Sequence, residues 1–319
     1  MRKIVSSVIL VSALAVSSAI AADLPSKKSA PTPPVFSGID AFGSVAAGYN
    51  WGNFSAPGSS LDANGMNLAG RATFSAPVSG LIGFQADGTL DRNVNKLPGA
   101  MLGGDKDTNL IRTTGDLAAH VYLRNSTGLI GVIGQASASE LNIGFLSDRR
   151  YFAGLEGQYF IGNTTLYAQA AYQNANFGFT TGMFGGGSSS LGLSADGVTV
   201  LGQVRHFLTP NAMIALKGGY EVVETTTDLG GGSLRHSAWM VGAKGEYRFD
   251  KSPVSAFVDV DYRKGEFNTG GSKESETRGM LGLKYSFGST TLIERDRNGA
   301  SLDPIRSLKA ILPIGGLAQ

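Results

Sequence analysis

The sequence predicts an all-β fold, a single transmembrane antiparallel up-and-down β-barrel of about twelve strands. Three observations predict it. From Gly38 to Phe287 apolar and polar residues alternate with period two almost everywhere, which places them on opposite faces of strands. The connections between these runs are alternately short and long, as in barrels whose tight turns gather at one rim. Charged and aromatic residues sort by the same alternation, with charges on one face and aromatics near the strand ends of the other.

The segment before the alternation is an address. Met1-Arg2-Lys3 is basic, Ile4 to Ile20 is apolar and small, and Ala19-Ile20-Ala21 supplies a small-x-small cleavage pattern. Residues 1–21 therefore read as a secretory signal peptide. Its apolar core is short for a membrane anchor, and no stop-transfer charges follow. Residues 22–37 are rich in proline and read as an extended lead-in. An exported chain of this kind belongs in the periplasm, the outer membrane or outside the cell.

Composition narrows the function classes. The 319 residues include 45 glycines, three histidines and no cysteine, which removes thiol nucleophiles, disulfide scaffolds and cysteine zinc sites. Lys and Arg number 27 against 25 Asp and Glu, and cleavage of the signal makes the two equal. No basic surplus remains to neutralise phosphates, so nucleic acid is not an expected partner.

The strands are expected near 38–53, 64–76, 81–92, 112–125, 128–138, 150–161, 164–177, 196–207, 212–226, 236–249, 254–267 and 278–287. In the first, Ile39, Ala41, Gly43, Val45, Ala47, Tyr49 and Trp51 share one face. Tight connections are expected at 76–80, 125–128, 162–163, 208–211 and 250–253. Longer ones are expected at 54–63, 93–111, 139–149, 178–195, 227–235 and 268–277. A two-residue turn at Gly162-Asn163 would pair Phe160 with Thr165, Gln158 with Tyr167 and Glu156 with Gln169, all of polar-face parity.

On the polar face, which becomes the lumen of a barrel, nine residues are basic: Arg71, Arg124, Arg205, Lys217, Lys244, Arg248, Arg263, Arg278 and Lys284. Nine are acidic: Asp40, Asp87, Asp91, Asp116, Glu156, Glu221, Glu246, Asp259 and Asp261. On the apolar face, Phe74, Tyr159, Tyr247, Phe249, Tyr285 and Phe287 fall beside the short turns or the final strand end. Tyr49, Trp51, Tyr151, Tyr172, Tyr220, Trp239 and Tyr262 fall toward the long connections. Two aromatic bands around an apolar belt match the two headgroup levels of a bilayer. A soluble sandwich would instead bury large aliphatics on that face, where this chain has many Ala and Gly.

Three stretches stand out: Ala21-Ala22-Asp23-Leu24-Pro25 with its Pro-rich sequel, Leu283-Lys284-Tyr285-Ser286-Phe287-Gly288, and Arg295-Asp296-Arg297-Asn298-Gly299-Ala300-Ser301. In them the chain resembles the alphaproteobacterial, rhizobial-type outer-membrane β-barrel proteins often labelled porin-like. The resemblance implies a pore or a surface antigen of the outer membrane, surrounded by outer-membrane lipid and lipopolysaccharide. A pore would pass ions and small hydrophilic solutes and need no cofactor. A homo-oligomer is left open.

Many outer-membrane proteins finish on an aromatic residue of the last strand. Here Phe287 would fill that place, yet residues 288–319 continue as a short periplasmic tail. Asp303-Pro304 resembles a helix start, with Ile305, Leu308 and Leu312 on one helical face. The tail reads either as loose chain or as a short helix that docks at, or partly closes, the periplasmic mouth.

Catalytic sets are not legible, so no enzyme is expected. His120 shares a strand face with Asp116, about 13 Å away at strand rise; His206 has apolar parity beside a short turn; His236 sits at the rim of a long connection. The glycine-rich run 182–188 has no Lys-Ser/Thr after it and is not a phosphate loop. Asp105-Lys106-Asp107 reads as a solvated loop rather than a cation site, and three dispersed histidines give a metal site no support. The lumenal charges remain. They are expected either to fill a narrow barrel as mutual salt bridges or to line a pore of weak ion selectivity. Lys244 is expected to pair with Asp259, with Asp261 diagonal. Acidic Asp87, Asp91 and Asp116 are expected to face a basic wall on strands eight to twelve across a transverse field. The alternative to a pore is a closed barrel acting as a surface protein.

Overall fold

In the computed structural model, which describes residues 38–97, 108–141, 146–180, 190–227, 233–268 and 271–306, the chain closes into one barrel. Its strands are β1 (Asp40–Ala56), β2 (Ser59–Ser79), β3 (Ile82–Leu97), β4 (Thr108–Arg124), β5 (Gly128–Leu141) and β6 (Leu146–Ile161). They continue as β7 (Thr164–Thr180), β8 (Ser190–Thr209), β9 (Ala212–Thr227), β10 (Leu234–Arg248), β11 (Val254–Phe267) and β12 (Lys273–Phe287). Each pairs antiparallel with its sequence neighbours, and β12 returns to β1 with Phe287 opposite Ala41. Closure leaves no unpaired edge, which is what a sheet needs to cross lipid. A short helix, α1 (Leu292–Asn298), follows the last strand. The signal and lead-in at 1–37, the runs at 105–107 and 182–188, and Leu308 and Leu312 lie outside the described residues.

Alternation decides which side faces in. Along β5 shielded and exposed residues alternate without a break. The large outward side chains are exposed to a degree water would not tolerate: Leu117, Ile130, Leu155, Leu216 and Leu281 lie between 65% and 71% exposed. At about 25 cal/mol per Å² this belt is stable only against hydrocarbon, so the outer face is a bilayer surface. The thirteen aromatics named above are also outward, from 37% exposed at Tyr262 to 59% at Phe287. Tyr285–Phe287 and Tyr247–Phe249 pack tilted and edge-on at the short-turn rim, with ring centroids 4.6 and 5.7 Å apart. Tyr49–Trp51 and Trp239–Tyr262 stack toward the other, at 5.0 and 5.4 Å.

The Gly162-Asn163 turn takes the expected register, pairing Phe160 with Thr165, Gln158 with Tyr167 and Glu156 with Gln169. Gly162 has φ +51°, a left-handed value that a Cβ disfavours. At the far rim the strands outrun the sequence-based expectation. The connection expected over 54–63 is a two-residue turn at Pro57-Gly58, and β1 and β2 pair up to Ala56 and Ser59. Polar pairs carry the sheet there beyond the apolar belt, as where Asn53 donates to Asp62 at 2.8 Å. Alternation of apolar residues marks only the part of a strand that meets lipid, which is why these extensions read as loops.

Candidate functional site

The site is the lumen, and its shape is set by the chain after β12. Gly288, at φ +96°, turns the chain back; a Cβ there would meet Ile39 O at 2.5 Å. Thr291 caps α1 by accepting the N–H of Glu294 at 3.1 Å, while the Glu294 carboxylate accepts the N–H of Thr290 at 2.7 Å. Burial raises the Glu294 carboxyl, but hydrogen bonds that it accepts from the Thr290 hydroxyl and from the backbone N–H groups of Thr290 and Thr291 outweigh it and hold the group below its ordinary value. The N–H groups of Leu292 and Ile293 donate to Pro210 O at 2.9 and 3.2 Å, seating the helix on the β8–β9 turn. Leu292 is buried with Phe207, Met213 and Ala215, all of lumen parity.

Beyond the helix the chain climbs inside the barrel in extended form. Asp40, the first residue of β1, accepts the N–H of Ser289 at 2.9 Å and of Ala300 at 2.7 Å. Gly299 permits that approach, since a Cβ would lie 2.1 Å from Asp40 Oδ2. Gln85 binds both backbone groups of Leu302, and Gln135 binds both of Ile305, imitating strand partners. Leu302 is buried with Tyr122, Leu129 and Tyr167, and Ile305 with Ala118, Ile133, Phe152 and Ala171. Between them Asp303 spans the lumen. One carboxylate oxygen accepts from Arg71 on β2 at 2.8 Å, and the other from Arg205 and Gln203 on β8 at 2.7 and 3.0 Å. Burial disfavours this carboxylate, but Arg205 and Arg71 override it and hold it well below the usual carboxylate range. Arg306 then pairs with Asp261 on β11.

The tail thus matches the docking reading, with a short helix at the short-turn mouth, and its described part then runs on into the lumen rather than staying outside it. The helix expected from Asp303-Pro304 is also corrected. The Asp303 carboxylate is taken by two arginines and caps nothing, whereas Thr291 caps a helix twelve residues earlier.

A cavity of about 450 Å³ runs beside the tail. Its lining extends from Met213, near the β8–β9 turn, to Asn95 near the far end of β3. Of the expected pore-lining charges, Arg71, Asp91, Asp116, Arg205, Lys217, Lys244, Glu246, Asp259, Asp261, Arg263, Arg278 and Lys284 line it. The other six do not, although all are inward. Asp40, Arg124 and Arg248 hold the tail backbone, with Arg124 donating to Gly299 O at 3.0 Å and Arg248 to Ser289 O at 2.8 Å. Asp87 and Glu156 flank His120, and Glu221 is buried in the wall. Arg112 and Glu276 also line the cavity, as do Arg295, Asp296, Asp303 and Arg306 from the tail. Arg112 shares the parity of Asp116, and Glu276 that of Arg278, so those two were readable by alternation. The tail residues were not.

The ion pairs differ from those the register suggested. Lys244 lies opposite Asp259 as expected, but its ammonium is 3.2 Å from Glu246. Asp259 and Asp261 are both held by Lys217, at 2.6 and 2.7 Å. Arg278 reaches Asp91 at 3.1 Å. Closure sets β12 three strands from β3, so the acidic and basic walls expected to face each other are partly bridged.

The histidines differ too. His120 is fully buried, with Nδ1 2.6 Å from Glu156 and Nε2 3.1 Å from Asp87. Spacing along one strand could not show this, because both acids come from other strands. Glu156 reaches over Gly131, which stands between it and Tyr122 in the register and offers no side chain. His236 Nε2 lies 3.3 Å from Glu274 on β12. His206 is exposed beside the turn, 3.0 Å from Thr164. Among the described residues no histidine lines the cavity.

No family model matches the chain, and no curated protein matches it in sequence. Among solved structures it is similar to the Pseudomonas putida toluene transporter TodX, at 11% identity and TM-score 0.41, over 77% of this chain and 89% of that one. It is also similar to the translocator domain of the autotransporter NalP from Neisseria meningitidis, at 10% identity and TM-score 0.48, over 78% and 88%. The beta domain of the Bordetella autotransporter BrkA matches at 11% identity and TM-score 0.48, over 77% and 99%.

Proposed function

We propose that this protein is an outer-membrane channel, akin to the porin-like barrels it resembles, for passive diffusion of ions and small hydrophilic solutes. The observation that carries the proposal is the charged cavity that continues past the tail along most of the barrel. A barrel filled only for stability would leave no such space. Here Lys244, Asp259, Arg263 and Arg278 keep part of their surface toward the cavity, which suits a path for hydrated solutes. The signal-like segment supports export, and the bilayer belt supports residence in the outer membrane, in contact with its lipid and lipopolysaccharide.

Single-channel recording in planar bilayers tests the proposal, with heat-modifiable gel mobility as the control for folding. Discrete conductance steps from the folded chain are the expected result. Folded protein without conductance would transfer the case to a closed surface barrel, the reading favoured by the tail that packs the short-turn half of the lumen.

A further inference from the structure

We propose that Arg71, Arg205 and Gln203 form a carboxylate-binding site in the lumen, filled by the chain's own Asp303, for which small carboxylate solutes compete. The inference deepens the channel reading by naming a solute class, and it rests on that reading.

The geometry is that of a receptor with its ligand in place. Arg71 Nη1 and Arg205 Nη2 come from β2 and β8, which lie on opposite walls of a twelve-stranded barrel. Each donates to a different oxygen of one carboxylate, and the Gln203 amide adds a third donor. Two guanidinium groups gripping the two oxygens of a carboxylate is a strong and selective form of anion recognition. The arginines are themselves fixed. Arg71 is anchored to Asp87 at 2.7 Å, and Arg205 to Asp296 at 3.0 Å and to Ser301 O at 2.7 Å. Removing Asp303 therefore leaves the clamp standing, with one N–H of each arginine turned to an empty place.

The site is also reachable. Arg71, Arg205, Gln203 and Asp303 all line the cavity, and about a third of the Asp303 side chain is exposed to it. A dissolved carboxylate can approach the same donors from the water side. Chloride carries the charge but lacks the paired oxygens, so it competes poorly. The tethered Asp303 has a high effective concentration, and free carboxylates displace it only when abundant.

The test measures binding in detergent, apart from conductance. Asp303→Gly should show a saturable, acetate-dependent rise in unfolding temperature, half-complete at a concentration at least tenfold lower than any effect on the parent chain. Adding Arg205→Gln should abolish it, and chloride at equal ionic strength should not reproduce it. An Asp303→Gly protein indifferent to acetate, or equally responsive to chloride, overturns the proposal. Should that variant not fold, the parent chain decides: backbone amides of residues 300–306 should exchange faster in acetate than in chloride, and equal rates overturn it. A chain that binds acetate but conducts nothing defeats the channel reading alone, and one that conducts but ignores acetate defeats this site alone.

Discussion

The Asp40 carboxylate, on the first residue of β1, accepts the backbone N–H of Ala300 at 2.7 Å, so the start of the barrel holds the end of the described chain. Its other oxygen accepts the N–H and hydroxyl of Ser289 at 2.9 and 2.7 Å. Asp40→Ala leaves these three donors without their anion. Hydrogen bonds to charged groups contribute about 1.5–3 kcal/mol each, so tail docking should weaken by about 3 kcal/mol or more. Hydrogen exchange of residues 289–300 should accelerate roughly a hundredfold while the strands stay protected. Gly299→Ala should do the same, because its Cβ would occupy the position of Asp40 Oδ2.

The barrel was legible in the sequence because its rule is local: each strand displays a two-residue period wherever one face meets lipid. All twelve strands, the closing partnership of the first and last, and the parity of the lumenal charges follow from it. A helix docking at the mouth was one of two readings of the tail, but the position of that helix and the path into the lumen were not legible, because they depend on residues far apart in the chain. One signal was present. Leu129, Ile133, Phe152, Phe207 and Met213 are large apolar residues on the polar parity, and each is now found against Leu292, Leu302 or Ile305. Apolar side chains on the water-filled side of a barrel mark where something packs. The His120 cluster was hidden for a related reason, since it joins β3, β4 and β6 across a glycine.

Ending the chain after Gly288 should widen the conducting path. Leu292, Leu302 and Ile305 occupy lumenal space in the short-turn half, and their loss leaves it to water. Single-channel conductance should rise roughly threefold or more, as lumen width sets flow in barrels of this class. Unchanged conductance in a folded variant would show that ions do not pass the tail.

His120→Leu should destabilise the barrel by about 3 kcal/mol or more. It removes the only nitrogen pair set between Asp87 and Glu156 and leaves both carboxylates shielded from water without that partner. Urea unfolding followed by gel mobility measures this, and His120→Gln should recover part of the loss through its amide.

Docking of the tail should be insensitive to pH over the neutral range. The Asp303 carboxyl is depressed in the folded chain, because Arg205 and Arg71 outweigh its burial. A depressed carboxylate contributes stability that is fully present above its unfolded value, about 3.9, and is lost only as pH falls toward the folded value. Protease access to residues 289–306 should therefore be flat from pH 5 to pH 9 and begin to rise below about pH 4. A rise near pH 6 would mean that a histidine, not Asp303, governs docking.

Ion selectivity should be weak, and its control should follow the cavity rather than the parity of the strand. Basic and acidic side chains both line the path, with Lys217 set against Asp259 and Asp261, and Arg278 against Asp91. Paired charges cancel at distances beyond about 8 Å in physiological salt. A reversal potential under a salt gradient should give a permeability ratio within a few-fold of unity. Lys244 and Arg263 face the cavity, so Lys244→Gln with Arg263→Gln should move the ratio toward cations. Arg248 has the same parity but donates to Ser289 O and Ser252 O behind the tail, so Arg248→Gln should leave the ratio unchanged and loosen the tail instead. If Arg248→Gln shifts selectivity while the double variant does not, ions take a route through the tail's anchoring side, and the cavity beside it is not the channel.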